Sequence, residues 1–138
     1  MQKNIHESFN QTTGQLLQAV SAFSQDNFNK VSHEGSWTAA QVADHLYKAE
    51  KGIPKLLMGG SIITTRPPDE KVKMIESAFL DFSTKLKSPD FILPSAEPLD
   101  VTFVYNLLSK NKARISELVQ TVDLKNTFTG ASLPVLGQ

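Results

Sequence analysis

Apolar residues recur along this chain at helical spacing rather than strand spacing. Between about Lys3 and Ser24, the residues Ile5, Phe9, Leu16, Val20 and Phe23 fall on one line, with Thr13 filling the gap. Steps of three and four residues put them on one face of a helix. Gly14 inside this stretch weakens it by about 1 kcal/mol relative to Ala. A second helix is predicted to start at Thr38. Thr38 and Gln41 are spaced as a capping box, and Trp37 and Val42 as a hydrophobic staple. Val42, Leu46, Ala49, Ile53 and Leu56/Leu57 form its expected buried face, with Lys48, Lys51 and Lys55 on another, solvated one. Gly52 and Pro54 interrupt the pattern. A proline there removes a backbone bond and clashes with the preceding turn, so a kink near Gly52, or a break and restart, is predicted. Gly59-Gly60 end the element.

A third helix is predicted from a cap at Asp69 to about Leu86. Val72, Ile75, Phe79, Phe82 and Leu86 step by three, four, three and four along it. A fourth runs from a cap at Asp100 to about Val122. Its stripe is Val104, Leu108, Ile115, Leu118 and Val122, with polar Asn111 on the same line. The connection from Ser61 to Pro68 is polar and closes on Pro67-Pro68. The stretch from Ser88 to Leu99 carries Pro89, Pro94 and Pro98 and reads as a loop. So does the stretch from Asp123 onward. No alternating β-branched run persists, so no sheet is predicted. Helices of these lengths are stabilised mainly by packing their apolar faces together, which makes the expected architecture an all-α bundle.

Composition narrows the functions such a bundle could have. A length of 138 residues fits one domain spanning 1–138 and buries roughly two-thirds of the unfolded surface. Fourteen basic and fourteen acidic side chains cancel, which argues against nucleic acid or an anionic membrane as partner. The absence of cysteine removes disulfides, thiolate catalysis and Cys-ligated zinc. No apolar run approaches the ~20 residues of a membrane span, and Met1–Glu7 lacks the apolar core of a signal peptide. The expected compartment is therefore the cytoplasm.

Few residues are placed for chemistry. No Gly-x-Ser-x-Gly elbow or phosphate-binding Gly-x4-Gly-Lys-Ser/Thr loop is present. Lys110, Lys112 and Arg114 read as a solvated helix face. His6 lies beside the first stripe and His33 in the loop before Trp37. His45 follows Val42 by three residues and precedes Ala49 by four, so it is expected to point into the bundle. Bundle interiors are where helical proteins build metal sites, but an inward histidine also serves as a hydrogen-bonded core residue. Catalytic zinc usually takes three protein ligands, and no two histidines here stand three or four apart. Asp44 points about 100° away from His45 around the helix. Glu50 is also off the line, so the second helix offers one inward ligand. Trp37 fits either a staple at the helix start or the mouth of a pocket.

The run Trp37-Thr38-x-x-Gln41-Val42-x-x-His45-Leu46 resembles the hallmark of the DinB-like superfamily. The amphipathic first helix, the Ile92-Leu93-Pro94 element and a helix like the family's third also fit. Leu133-Pro134-x-x-Gly137 resembles the approach to the family's last helix. The resemblance implies four main helices in up-down-down-up order, often dimeric. It implies a divalent metal such as zinc or nickel, held by His45 and by a His-x3-His pair on the last helix. The activity implied is that of a metal-dependent hydrolase or thiol transferase, with an unknown small-molecule substrate. The sequence departs from the family in lacking that last helix and its two histidines, so the expectation is either a chain truncated before that helix or a degenerate, inactive member. Without it the other stripes face an open groove, where each uncovered Leu, Ile or Phe forgoes roughly 1.5–3 kcal/mol of burial. A patch of that kind recruits a partner. The expectation is a homodimer, or the helix from Asp69 to Leu86 filling the gap. The alternative function is a non-catalytic helical module that binds a protein partner or a small apolar ligand.

Overall fold

The computed structural model describes residues 2–85 and 87–132 and is mostly helical. Its organising element is the long C-terminal helix, α6 (Val101–Thr121), against which α1 (Gln2–Ser21), α3 (Ala39–Glu50) and α4 (Ile53–Leu57) all pack. Asp100 caps α6 as its sequence predicts, accepting the Phe103 N–H at 2.7 Å. Val104, Leu108, Ile115 and Leu118 of the expected stripe are buried, and Val119 joins them.

Helix α1 runs antiparallel to α6. His6 near its start reaches Ser116 near the end of α6 at 2.9 Å. Beyond the end of α1, the one-turn helix α2 (Gln25–Phe28) grips the start of α6. Gln25 accepts the Val101 N–H at 2.9 Å, and Asn29 accepts the Leu99 N–H at 2.8 Å. These bonds satisfy backbone groups that a helix start otherwise leaves to water. They also seat Phe28 in the core, fully shielded from solvent. Phe28 belongs to no predicted stripe. Helix α3 runs parallel to α6: Ala40 and Ala43 at its start join Val104 and Leu108 in the core, while Glu50 at its end meets Lys112.

The capping box at Thr38 is present in full, with Gln41 N–H donating to Thr38 Oγ1 at 3.1 Å and Thr38 N–H to Gln41 Oε1 at 3.0 Å. The predicted interruption is a break: α3 ends at Glu50 and α4 restarts at Ile53, with Pro54 in its first turn where no N–H is needed. The buried face of α3 differs from the predicted one. Ala40, Ala43 and Asp44 are buried, whereas Val42 and Ala49 are exposed. Positions two residues apart, such as Ala40 and Val42, differ by 200° around a helix, so the face against α6 lies close to the opposite side from the expected stripe. Small alanines let α3 approach α6 closely, which outweighs the greater apolar area of Val42.

Three further expectations are corrected. The third predicted helix is shorter: α5 spans Val72–Phe79, and Asp69 lies in the turn before it rather than acting as its cap. Among the described residues, helix α5 packs extensively against no other element, so it does not fill a groove among the described helices. Leu86, at the end of its predicted stripe, and the Leu133, Pro134 and Gly137 segment lie outside the described residues. A small sheet also exists. β1 (Ser61–Ile62) pairs antiparallel with β2 (Thr127–Phe128), Ser61 opposite Phe128 and Ile62 opposite Thr127. Finally, Lys112 is not on a solvated face. It is only 6% exposed, pairs with Glu50, and sits over the Phe9 ring at 5.3 Å from its centroid. Lys110 and Arg114 remain exposed. No described helix is long and apolar enough to cross a membrane.

Candidate functional site

His45 lies on the side of α3 turned away from α6, half-buried, rather than pointing among α1, α3 and α6 as expected. What it faces is the Pro-rich segment that follows a single 3-10 turn (Asp90–Ile92). Four side chains on neighbouring turns of α3 hold that segment by its backbone. His45 Nδ1 bonds to Ile92 O at 2.8 Å, and Lys48 Nζ donates to Leu93 O at 2.8 Å. Asp44 Oδ2 accepts the Ser95 N–H at 2.8 Å, and Gln41 Nε2 donates to Ser95 O at 3.2 Å. Pro94 has no N–H, and the stretch belongs to no sheet, so side chains take the place of ladder partners. Lys48 also pairs with Asp44 at 2.9 Å, which removes it from the solvated face predicted for it. Lys51 and Lys55 are exposed as expected.

The bond to Ile92 fixes the chemistry of the imidazole. A carbonyl oxygen only accepts, so Nδ1 carries the proton. In the neutral ring the lone pair is then on Nε2. The ring of Trp37 packs against it, centroids 5.1 Å apart and planes tilted by 53°. Trp37 and Val42 are 40% and 45% exposed, so this contact, not a buried staple, is what Trp37 contributes. The result is an oriented imidazole beside an accessible indole, on a face of α3 that also exposes Val42 and Ala49.

A neutral histidine whose Nδ1–H is held by a backbone carbonyl is in the form in which histidines ligate metals. The donor set is nevertheless incomplete. Among the described residues no three His, Cys, Asp or Glu side chains are placed to share a cation. His6 is tied into a polar cluster with Asn10 and Ser116, and His33 lies in an exposed loop beside Ser32. Glu50 is taken by Lys112, and Asp44 by Ser95 and Lys48. These residues therefore do not by themselves hold a divalent ion.

The clamp on residues 92–95 was missed by sequence reasoning, which weighed the apolar stripe alone. Its signal was the polar series Gln41, Asp44, His45 and Lys48, whose spacings of three and four make a second line along the same helix. Comparison of the chain with protein-family models, curated proteins and solved structures finds no match in any of the three.

Proposed function

We propose that this chain is a DinB-like helical protein in which His45 contributes one ligand to the divalent-metal centre of a hydrolase or thiol transferase acting on a small molecule. The observation that carries the reading is the 2.8 Å bond from His45 Nδ1 to Ile92 O, which in the neutral ring leaves the lone pair on Nε2. The order of the long helices supports it: α1 antiparallel to both α3 and α6, as in the first three members of an up-down-down-up bundle. One imidazole does not hold a catalytic ion, so hydrolysis or transfer requires ligands from outside the described residues. The test is metal analysis of the product of the whole reading frame, with and without His45→Asn. Asparagine retains an N–H donor for Ile92 O, so the fold is expected to persist by circular dichroism while bound metal is lost. Metal content unchanged by the substitution, or absent from the parent protein, overturns the reading.

A second reading has its own observation. Val72, Met74, Ile75, Phe79, Leu80 and Phe82 are all exposed, Phe82 at 88%. We infer a non-catalytic role in which this face covers itself by homodimerisation. Sedimentation velocity should then show a dimer that Phe79→Ser/Phe82→Ser dissociates. A monomer that binds no hydrophobic dye sinks it.

A further inference from the structure

Away from His45, the segment that follows β1 and the segment that precedes β2 wall a cavity of about 420 Å³. Antiparallel pairing sets the residues that follow β1 opposite those that precede β2. Thr64, Arg66 and Pro68 thereby come together with Leu124, Lys125 and Asn126, and Ile5 of α1 closes the side. The pairing is held beyond the strands themselves, since Thr64 Oγ1 meets Thr127 Oγ1 at 2.7 Å and Thr129 N–H donates to Gly60 O at 3.0 Å.

The charges lining this cavity are of one sign. Arg66 and Lys125 are separated by 59 positions in the sequence and line it together, and among the described residues no acidic one does. Neither side chain makes an ion pair among the described residues. Asp123, the nearest acid in sequence to Lys125, does not line the cavity, and its Oδ1 accepts the Lys125 backbone N–H at 3.0 Å. Two cationic residues lining one cavity raise the local potential for an anion there. A guanidinium offers a planar fork matched to a carboxylate, and the Asn126 amide is a further donor. Ile5, Pro68 and Leu124 supply an apolar wall beside this polar end.

We propose that this cavity binds a small organic carboxylate, its head on Arg66 and Lys125 and a short apolar body against Ile5, Pro68 and Leu124. The site shares no residue with the His45 cluster, so its fate is independent of the metal. The test is calorimetric titration with hexanoate, acetate, inorganic phosphate and hexanol. Hexanoate should bind saturably and roughly tenfold or more tighter than acetate, because the alkyl chain is buried. Arg66→Gln should weaken it roughly tenfold or more, and Lys125→Gln by less, since Lys125 is exposed. Among the described residues neither side chain carries a hydrogen bond that the fold uses, so both variants should keep the parent melting temperature. The proposal fails if hexanol binds as tightly as hexanoate, if phosphate binds and hexanoate gains nothing from its chain, or if both variants bind hexanoate unchanged.

Discussion

Helices α5 and α6 carry apolar stripes of equal regularity and meet opposite fates. Along α6, Val104, Leu108, Ile115 and Leu118 are buried. Along and just beyond α5, Val72, Ile75, Phe79 and Phe82 are exposed. The difference is not one of hydrophobicity, since Phe79 and Phe82 are larger than any residue of the α6 stripe. It is one of length and neighbours. Helix α6 has 21 residues and meets α1, α3 and α4 along its course, whereas α5 has eight and leans extensively on no other described element. A helix that short is marginal in water without tertiary support. A regular stripe thus states that a face is suited to being covered and leaves open what covers it.

The comparison breaks most directly at its centre. Leu108→Ala, at a position 1% exposed, should cost about 2–5 kcal/mol in denaturant unfolding, whereas Phe82→Ser should stay within about 0.5 kcal/mol at concentrations where the chain is monomeric. Comparable losses at the two sites would mean that α5 is packed in solution.

The buried ion pair on α6 gives a smaller, asymmetric effect. Glu50→Ala strands the Lys112 ammonium at a position 6% exposed and should cost about 1–3 kcal/mol. Lys112→Met leaves Glu50, which keeps 24% of its side-chain surface in water, and should cost less than Glu50→Ala. The reverse order would show that the Lys112 ammonium over the Phe9 ring matters more than its pairing with Glu50.

Loss of a cap is smaller again. Thr38→Ala removes the acceptor for Gln41 N–H and should cost about 1 kcal/mol, with helix α3 fraying first in amide exchange. In the α5 region the smallest effect is a pH response. Ser83 and Thr84 hydroxyls, with the Ser83 N–H, bond the Asp81 carboxylate and lower its pKa from 3.8 to about 2. A depressed folded value means that the turn is stabilised above pH 3.8 and loses this as pH falls towards about 2. The group is fully exposed, so the change should appear as a local carboxyl shift by NMR, absent in Asp81→Asn, with no global unfolding step.

Much of the fold was legible wherever a signal acts within one turn of helix. Thr38 with Gln41, Asp100 with Phe103, and Pro54 with the break before it are contacts between residues at most four apart. The α6 stripe was legible because large side chains fill it. The α3 face was misread because its contact is made by Ala40 and Ala43, whose value is close approach rather than area. Of the candidate site, the inward turn assigned to His45 was misread, because the imidazole bonds the Ile92 carbonyl on the side of α3 turned away from α6.

The sequence by itself determined the helical class, the caps and the interruption at Gly52–Pro54, because these depend on neighbours along the chain. Only the tertiary structure decided that Lys112 is buried on Glu50, 62 positions away, and that His45 yields its Nδ1 proton to Ile92, 47 positions on. It alone brought Arg66 and Lys125 to one cavity. These outcomes rest on which segments meet, and two polar groups far apart in sequence acquire a shared chemistry only when packing shields them from water and from other partners.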